Sequence, residues 1–185
     1  MAYSSLLSLS MSFLILLSNI FFVGLIFVYL VSPVWREKIR THVYTYAVEY
    51  IFVLSLLATV GSLTLSDVVG FNPCELCWFQ RIFMYPQVFV SFIAIIRKEK
   101  NIVYYLLPLT IIGSLIALYH SFILWGGKSI LPCTQAGSAC AKIYVLDFHY
   151  ITIPAMSLSI FVYLLAVSLV YLKVAKKVQS AKDNK

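Results

Sequence analysis

The chain has 185 residues, of which 62% are hydrophobic, 16% aromatic and only 11% charged. So little polar surface cannot cover a water-soluble globule, which excludes a soluble domain and indicates an integral membrane protein in a lipid bilayer. The formal net charge of +7 comes from cations that flank the apolar runs, so it reflects membrane topology and does not indicate nucleic-acid binding.

Five weakly charged apolar runs are each near or above the roughly 20 residues needed to cross about 30 Å of hydrocarbon. They are Leu6 to Val31, Val43 to Leu65, Trp78 to Ile96, Ile102 to Leu124 and Ile151 to Leu172. Their length and their lack of two-residue alternation favour helices over barrel strands. We predict an all-α integral membrane protein, in which a four-helix transmembrane bundle forms the core.

Three regions follow from these runs. Residues 1–42 form an additional N-terminal transmembrane helix and a cytoplasmic loop, residues 43–172 form the four-helix core, and residues 173–185 form a basic cytoplasmic tail that we expect to be solvated and partly disordered. The first run could instead be a cleaved export signal. We expect it to be retained, because residues 1–5 carry no positive charge and no small-x-small cleavage pattern is evident.

The cations predict the orientation. Of the 14 Lys and Arg residues, eleven follow the first, third and fifth runs. The positive-inside rule assigns that side to the cytoplasm. We therefore expect a multi-pass protein of the cytoplasmic (inner) membrane, with its amino terminus outside and its carboxyl terminus in the cytoplasm.

The four cysteines form two pairs on the predicted outer side. Cys74 and Cys77 stand at the start of the third run, and Cys133 and Cys140 lie in the next outer loop. Disulfides persist on this side of a membrane. The arrangement indicates an electron relay, in which the first pair faces lipid-soluble redox chemistry and the second reaches a soluble protein.

Two other interpretations compete with the relay. For Cys133 with Cys140, the sequence supports a structural disulfide as well as it supports a redox-active pair. For Cys74 with Cys77, a structural disulfide is poorly supported, because closing so short a loop removes little disorder from the unfolded chain. A zinc site of four cysteines is disfavoured, because the spacing from Cys133 to Cys140 is wide and exposed thiolates outside the cytoplasm would oxidise. We expect no metal.

Three side chains near the first pair are candidates for its chemistry. Cys77 lies near the amino end of a helix, where the helix dipole favours a thiolate. Arg81 follows one turn later and could stabilise that thiolate or a reduced acceptor, although it could equally anchor to lipid phosphate. His120 is expected at a similar depth and could shuttle a proton, or it could be a buried histidine satisfied by a neighbouring helix.

The motif from Cys74 to Pro86, CELCWFQRIFMYP, followed by Tyr119-His120 and then by Cys133 and Cys140, closely resembles the DsbB/BdbC family of disulfide-bond-forming quinone oxidoreductases. The resemblance covers roughly Val43 to Leu172. It implies a membrane thiol:quinone oxidoreductase that reoxidises an extracytoplasmic, thioredoxin-like thiol oxidase of the DsbA/BdbD type. The quinone, ubiquinone or menaquinone, would be the electron acceptor.

The resemblance also implies roles for the candidate residues. Cys133 would form a disulfide with Cys140 and be attacked by the thiol oxidase. Electrons would then pass to Cys74 and Cys77, and Cys77 would transfer them to a quinone beside Arg81 and His120. The best-known members of the family have four helices, so the segment Met1 to His42 is an addition whose role the resemblance does not supply.

Two further functional hypotheses remain. A vitamin K epoxide reductase-like protein also couples a quinone to cysteine pairs, but its Cys-x-x-Cys follows the loop cysteines, whereas here it precedes them. A non-enzymatic membrane scaffold with structural disulfides is the other. In that case Cys77→Ser would leave quinone chemistry unchanged.

Overall fold

The computed structural model describes residues 2–127, 145–148 and 151–183. Within these residues the chain forms five long helices: α1 (Ala2–Val31), α2 (Pro33–Leu63), α3 (Glu75–Arg97), α4 (Val103–Leu124) and α5 (Ile153–Asp183). All five are long and apolar enough to cross a membrane. The predicted all-α membrane fold with five spanning helices is confirmed.

Helices α2 to α5 form the core of the bundle. Helix α2 packs on α3 and α5, and α4 packs on α3 and α5, so the four helices enclose a common interior. Ile51, Leu106, Phe161 and Leu164 fill this interior and are almost fully buried. A Cβ atom on Gly113 would lie 2.2 Å from the Phe161 ring, so α4 can approach α5 closely only because this residue has no side chain.

Helix α1 lies outside this core, against α2 and α5. Most of its large apolar side chains are exposed, as expected for a helix that faces lipid. Its last carbonyls are capped from the next helix. The Arg36 side chain donates from Nε to the Tyr29 carbonyl at 3.1 Å and from Nη2 to the Leu30 carbonyl at 3.0 Å. These bonds satisfy groups that a helix end otherwise leaves to water.

Two helix boundaries differ from the predicted runs by about ten residues. Helix α2 begins at Pro33 and not at Val43, because Pro33 occupies its first turn and a local departure at Tyr46 (φ −114°, ψ 25°) bends the helix without ending it. Helix α5 continues to Asp183, so most of the tail that we expected to be partly disordered is helical. The tail is rich in good helix formers and contains neither Gly nor Pro before that point.

The chain reverses direction at one end of the bundle, which is here called the cysteine end because Cys74 and Cys77 lie there. Helix α2 continues into a π-helical turn, Thr64–Val68, and the chain turns at Gly70 (φ 83°) before α3 begins at Glu75. Helix α4 ends at the same level, and α5 begins there. The start of α3 packs against the end of α4, where Cys74 and Leu76 form one buried cluster with Ile123.

Candidate active site

Cys74 and Cys77 stand at the amino end of α3. Cys74 is the N-cap residue, with an extended backbone (φ −77°, ψ 172°), and its carbonyl accepts a hydrogen bond from the Trp78 amide at 3.1 Å. Cys77 lies within the first turn. The Cys74 thiol donates to the Cys77 Sγ atom across 3.2 Å, beyond the length of about 2.0 Å for a disulfide bond. The pair is therefore held as a close dithiol.

The two sulfurs have different surroundings. Cys74 is buried and Cys77 is half-buried. The hydrogen bond to Cys77, together with burial, raises the pKa of the Cys74 thiol to about 12, although the neighbouring His120 imidazole opposes this shift. Cys74 therefore keeps its proton at neutral pH, whereas Cys77 lies in the first turn of α3, where the amino end of a helix favours a thiolate.

His120 reaches the cysteine pair from α4. Its Nε2 atom lies 3.7 Å from the Cys74 Sγ atom, and its Nδ1 atom lies 3.0 Å from the Gln80 side-chain nitrogen. An amide nitrogen only donates, so Nδ1 accepts and the proton of the neutral ring lies on Nε2, toward sulfur. Both His120 and Gln80 are buried, at 3% and 6% exposure. Gln80 therefore fixes the tautomer of His120.

Arg81 points into the bundle. Its Nε atom donates to the Ser62 hydroxyl at 3.0 Å, its Nη2 atom donates to the Ser62 carbonyl at 3.1 Å, and its guanidinium lies 5.1 Å from the centre of the Trp78 ring. It is only 9% exposed, so it is not a surface anchor to lipid. Within the described part of the chain no carboxylate pairs with it. Its positive charge and its other N–H groups are left for a bound group.

Cys74, Cys77, Arg81 and His120 all line one cavity of about 650 Å³. Its polar end holds these four residues and Gln80. Most of the remaining wall is apolar and comes from α1, α2, α3 and α5. Binding sites for small molecules commonly combine such an apolar wall with a few placed polar groups, in volumes of about 300 to 1,000 Å³.

The structure thus brings together four of the six residues predicted for the site. The other two, Cys133 and Cys140, lie outside the described residues. Sequence reasoning missed Gln80 and Ser62. A signal for Gln80 existed, because a glutamine beside Arg81 in an apolar run requires a buried partner. Ser62 follows Ala58 at a small-xxx-small spacing, which indicates close helix packing but does not predict a bond to Arg81; that bond depends on where α2 ends beside α3.

Cys74, Cys77 and His120 could also hold a metal ion. Their three ligand atoms lie within 4.8 Å of one another. Thiolate and imidazole are ligands that zinc prefers. This geometry therefore makes metal analysis a necessary control for any redox assay.

The comparisons with known proteins decide the family. Residues 45–171 match the family model described as disulfide bond formation protein DsbB. The chain belongs to the DsbB family. The matched region contains α2 from residue 45 onward, all of α3 and α4, α5 up to residue 171, and every candidate site residue. Helix α1 lies before it.

Relatives carry consistent names. The chain is 40% identical to probable disulfide formation protein C 1 of Bacillus cereus over 124 residues, covering 64% of this chain and 86% of the relative. It is 40% identical to disulfide bond formation protein C of Bacillus subtilis over 113 residues, covering 60% and 81%. No solved structure matches the chain.

Membership in this family places the chain among membrane proteins of disulfide bond formation, with an oxidoreductase role. It also confirms the resemblance on which the sequence analysis relied. The vitamin K epoxide reductase hypothesis loses its basis, since the DsbB match includes residues of all four core helices.

Proposed function

We propose that this protein is a thiol:quinone oxidoreductase, which takes electrons from an extracytoplasmic, thioredoxin-like thiol oxidase and passes them to a membrane quinone. One observation carries the proposal. A close cysteine pair, a buried arginine without a described carboxylate partner and a histidine of fixed tautomer line the polar end of one apolar cavity. The net reaction is dithiol plus quinone giving disulfide plus quinol.

The cavity suits a quinone in size and in polarity. A volume of about 650 Å³ accommodates a ring and part of a tail, and the apolar wall suits a polyprenyl chain. Carbonyl oxygens on the ring would need donors, and Arg81 and His120 provide N–H groups at the polar end. A quinone bound there supplies an acceptor for two electrons and two protons.

The residues of the chain divide the remaining tasks. Cys77 provides the thiolate that faces the cavity, and Cys74 closes the disulfide on it as the two electrons leave the pair. Arg81 holds its charge in place through Ser62, so it can stabilise negative charge at low reorganisation cost. His120 delivers the proton on Nε2 and regains one from the Cys74 thiol, 3.7 Å away. The second proton that the acceptor requires is the one that Cys77 releases to solvent on ionising, and it is taken up from solvent.

The second cysteine pair connects this site to the partner. We infer that Cys133 and Cys140 accept electrons from the thiol oxidase and transfer them to Cys74 and Cys77 by thiol-disulfide exchange. This function requires the cysteine end to face the outside of the cell, in agreement with the excess of cations in the opposite loops. The amino terminus would then lie outside and the carboxyl terminus in the cytoplasm.

The test follows quinone absorbance with two electron donors. With a reduced thioredoxin-like protein as the donor, the parent reduces quinone, and both Cys77→Ser and Cys133→Ser are inactive. With a small dithiol as the donor, Cys133→Ser regains activity because the small molecule reaches the inner pair directly, whereas Cys77→Ser stays inactive.

Two results would contradict the proposal. Quinone reduction that survives Cys77→Ser with either donor would exclude the route through this pair. Labelling of Cys74 or Cys77 by a membrane-impermeant thiol reagent from the cytoplasmic side alone would exclude the orientation.

A further inference from the structure

Helix α1 supplies part of the cavity wall. Met11, Leu14, Ile15 and Ser18 line the same cavity as Cys77 and Arg81. The region that matches the DsbB family begins at residue 45, so this wall is an addition of this chain. The cavity therefore has a boundary that the family core does not provide.

The seam between α1 and α5 is closed by polar contacts. Tyr163 of α5 is buried, and its hydroxyl hydrogen-bonds with Ser18 at 3.1 Å and donates to the Asn19 side-chain oxygen. Nearer the cysteine end, the buried Ser12 hydroxyl donates to Asp147 at 2.5 Å. Such bonds in an apolar surrounding fix the position of α1 along this seam.

The seam between α1 and α2 is different. Leu14 on α1 and Leu57 on α2 both line the cavity, yet they are 65% and 63% exposed. Val60 on α2 also lines the cavity and is 53% exposed. A side chain that faces both a cavity and the outside lies at its rim. The cavity therefore opens sideways between α1 and α2, at a level where the surroundings are hydrocarbon.

We propose that α1 and α2 form a lateral portal through which a polyprenyl quinone enters from the bilayer, with Leu14 and Leu57 at its two sides. The proposal rests on the proposed function and extends it to the route and tail of the quinone. The ring reaches the polar end at Cys77 and Arg81, and the tail leaves through the portal. The Tyr163 contacts hold α1 so that the portal stays open on one side only.

The test narrows the portal. Leu14→Trp and Leu57→Trp are compared with Leu17→Trp, a matched control on α1 whose exposed side chain does not line the cavity. Protein in lipid nanodiscs is given two quinones with the same ring, one carrying a long polyprenyl tail and one without a tail. Both equilibrium binding and the KM for quinone are measured.

We expect Leu14→Trp and Leu57→Trp each to weaken binding of the tailed quinone by about tenfold, or about 1.4 kcal/mol, since added bulk in a filled apolar space is unfavourable. The quinone without a tail should bind with little change, and Leu17→Trp should match the parent with both. In the parent, a tailed quinone with a photoreactive group in the tail should label peptides of α1 and α2.

Each contrary result is distinct. Suppose that the parent protein reduces quinone. Photolabels confined to α3 and α4 would then overturn the portal and leave the proposed function intact, and so would portal variants whose quinone binding and KM match those of Leu17→Trp. A parent that neither binds nor reduces any quinone would overturn both. The photolabelling experiment needs no variant, so a portal variant that fails to fold does not prevent the test.

Discussion

Replacing Gln80 by Leu tests whether this residue positions the His120 imidazole. Leu is similar in size and fits an apolar helix, but it cannot donate to the Nδ1 atom of His120. The structure gives one hydrogen bond of 3.0 Å between two buried side chains. Without it the imidazole proton is no longer held on Nε2, the atom that faces the Cys74 sulfur.

The magnitude follows from that single bond. A neutral buried hydrogen bond contributes about 1 to 1.5 kcal/mol, and 1.4 kcal/mol corresponds to a factor of about ten. We therefore expect kcat for quinone reduction to fall by up to about tenfold in Gln80→Leu, with a smaller effect on the KM for quinone. Nitrogen NMR of labelled His120 should show a reduced population of the tautomer with its proton on Nε2.

Gln87→Leu is the matched control. Gln87 lies in the same helix, is fully buried and makes hydrogen bonds to Thr110 and to the Phe83 carbonyl, but it does not line the cavity. The Gln87→Leu variant should have a lower melting temperature than the parent protein and an unchanged His120 tautomer. Equal losses of kcat in both variants, or an unchanged tautomer in Gln80→Leu, would refute the positioning role and reduce Gln80 to a packing residue.

Three further outcomes are expected. In the reduced protein near neutral pH, iodoacetamide should modify Cys77 before Cys74, because the raised pKa of Cys74 keeps that thiol protonated until the pH approaches about 12. Peptide mass spectrometry measures the order of modification, and modification of Cys74 first would contradict this expectation. Arg81→Ala should raise the KM for quinone by about tenfold or more, since a hydrogen bond to a charged group contributes about 1.5 to 3 kcal/mol, while the KM for the thiol partner stays constant. An unchanged KM for quinone would remove Arg81 from the quinone site. Dialysis against a chelator should leave quinone reduction unchanged, and stoichiometric zinc whose loss abolishes activity would instead support a metal site at Cys74, Cys77 and His120.

The cavity and the buried Arg81 also bear on the scaffold hypothesis. A scaffold with structural disulfides needs neither a cavity beside its cysteine pair nor a buried cation that, among the described residues, has no carboxylate partner. Both features are costly unless a bound group uses them, because a buried charge without a partner is strongly disfavoured. The quinone assay on Cys77→Ser therefore separates the two hypotheses directly.

Composition and local pattern determined the membrane fold. Long apolar runs must become helices in hydrocarbon, where the backbone has no water to bond with, so five spans could be predicted from length alone. The start of α2 and the end of α5 were missed, because helices can continue beyond the apolar core into charged residues. Hydropathy predicts which residues span the membrane, but it does not predict the residue at which a helix begins or ends.

The sequence by itself also determined that Cys74 lies close to Cys77 and that Cys77 and Arg81 share a helix, because both follow from spacing along one chain segment. Only the tertiary structure showed that Gln80 hydrogen-bonds to His120, that Arg81 hydrogen-bonds to Ser62 and that a cavity opens between α1 and α2. Those contacts join residues far apart in sequence. They depend on how four helices pack and rotate against one another, and hydropathy carries no information on that rotation when nearly every face is apolar.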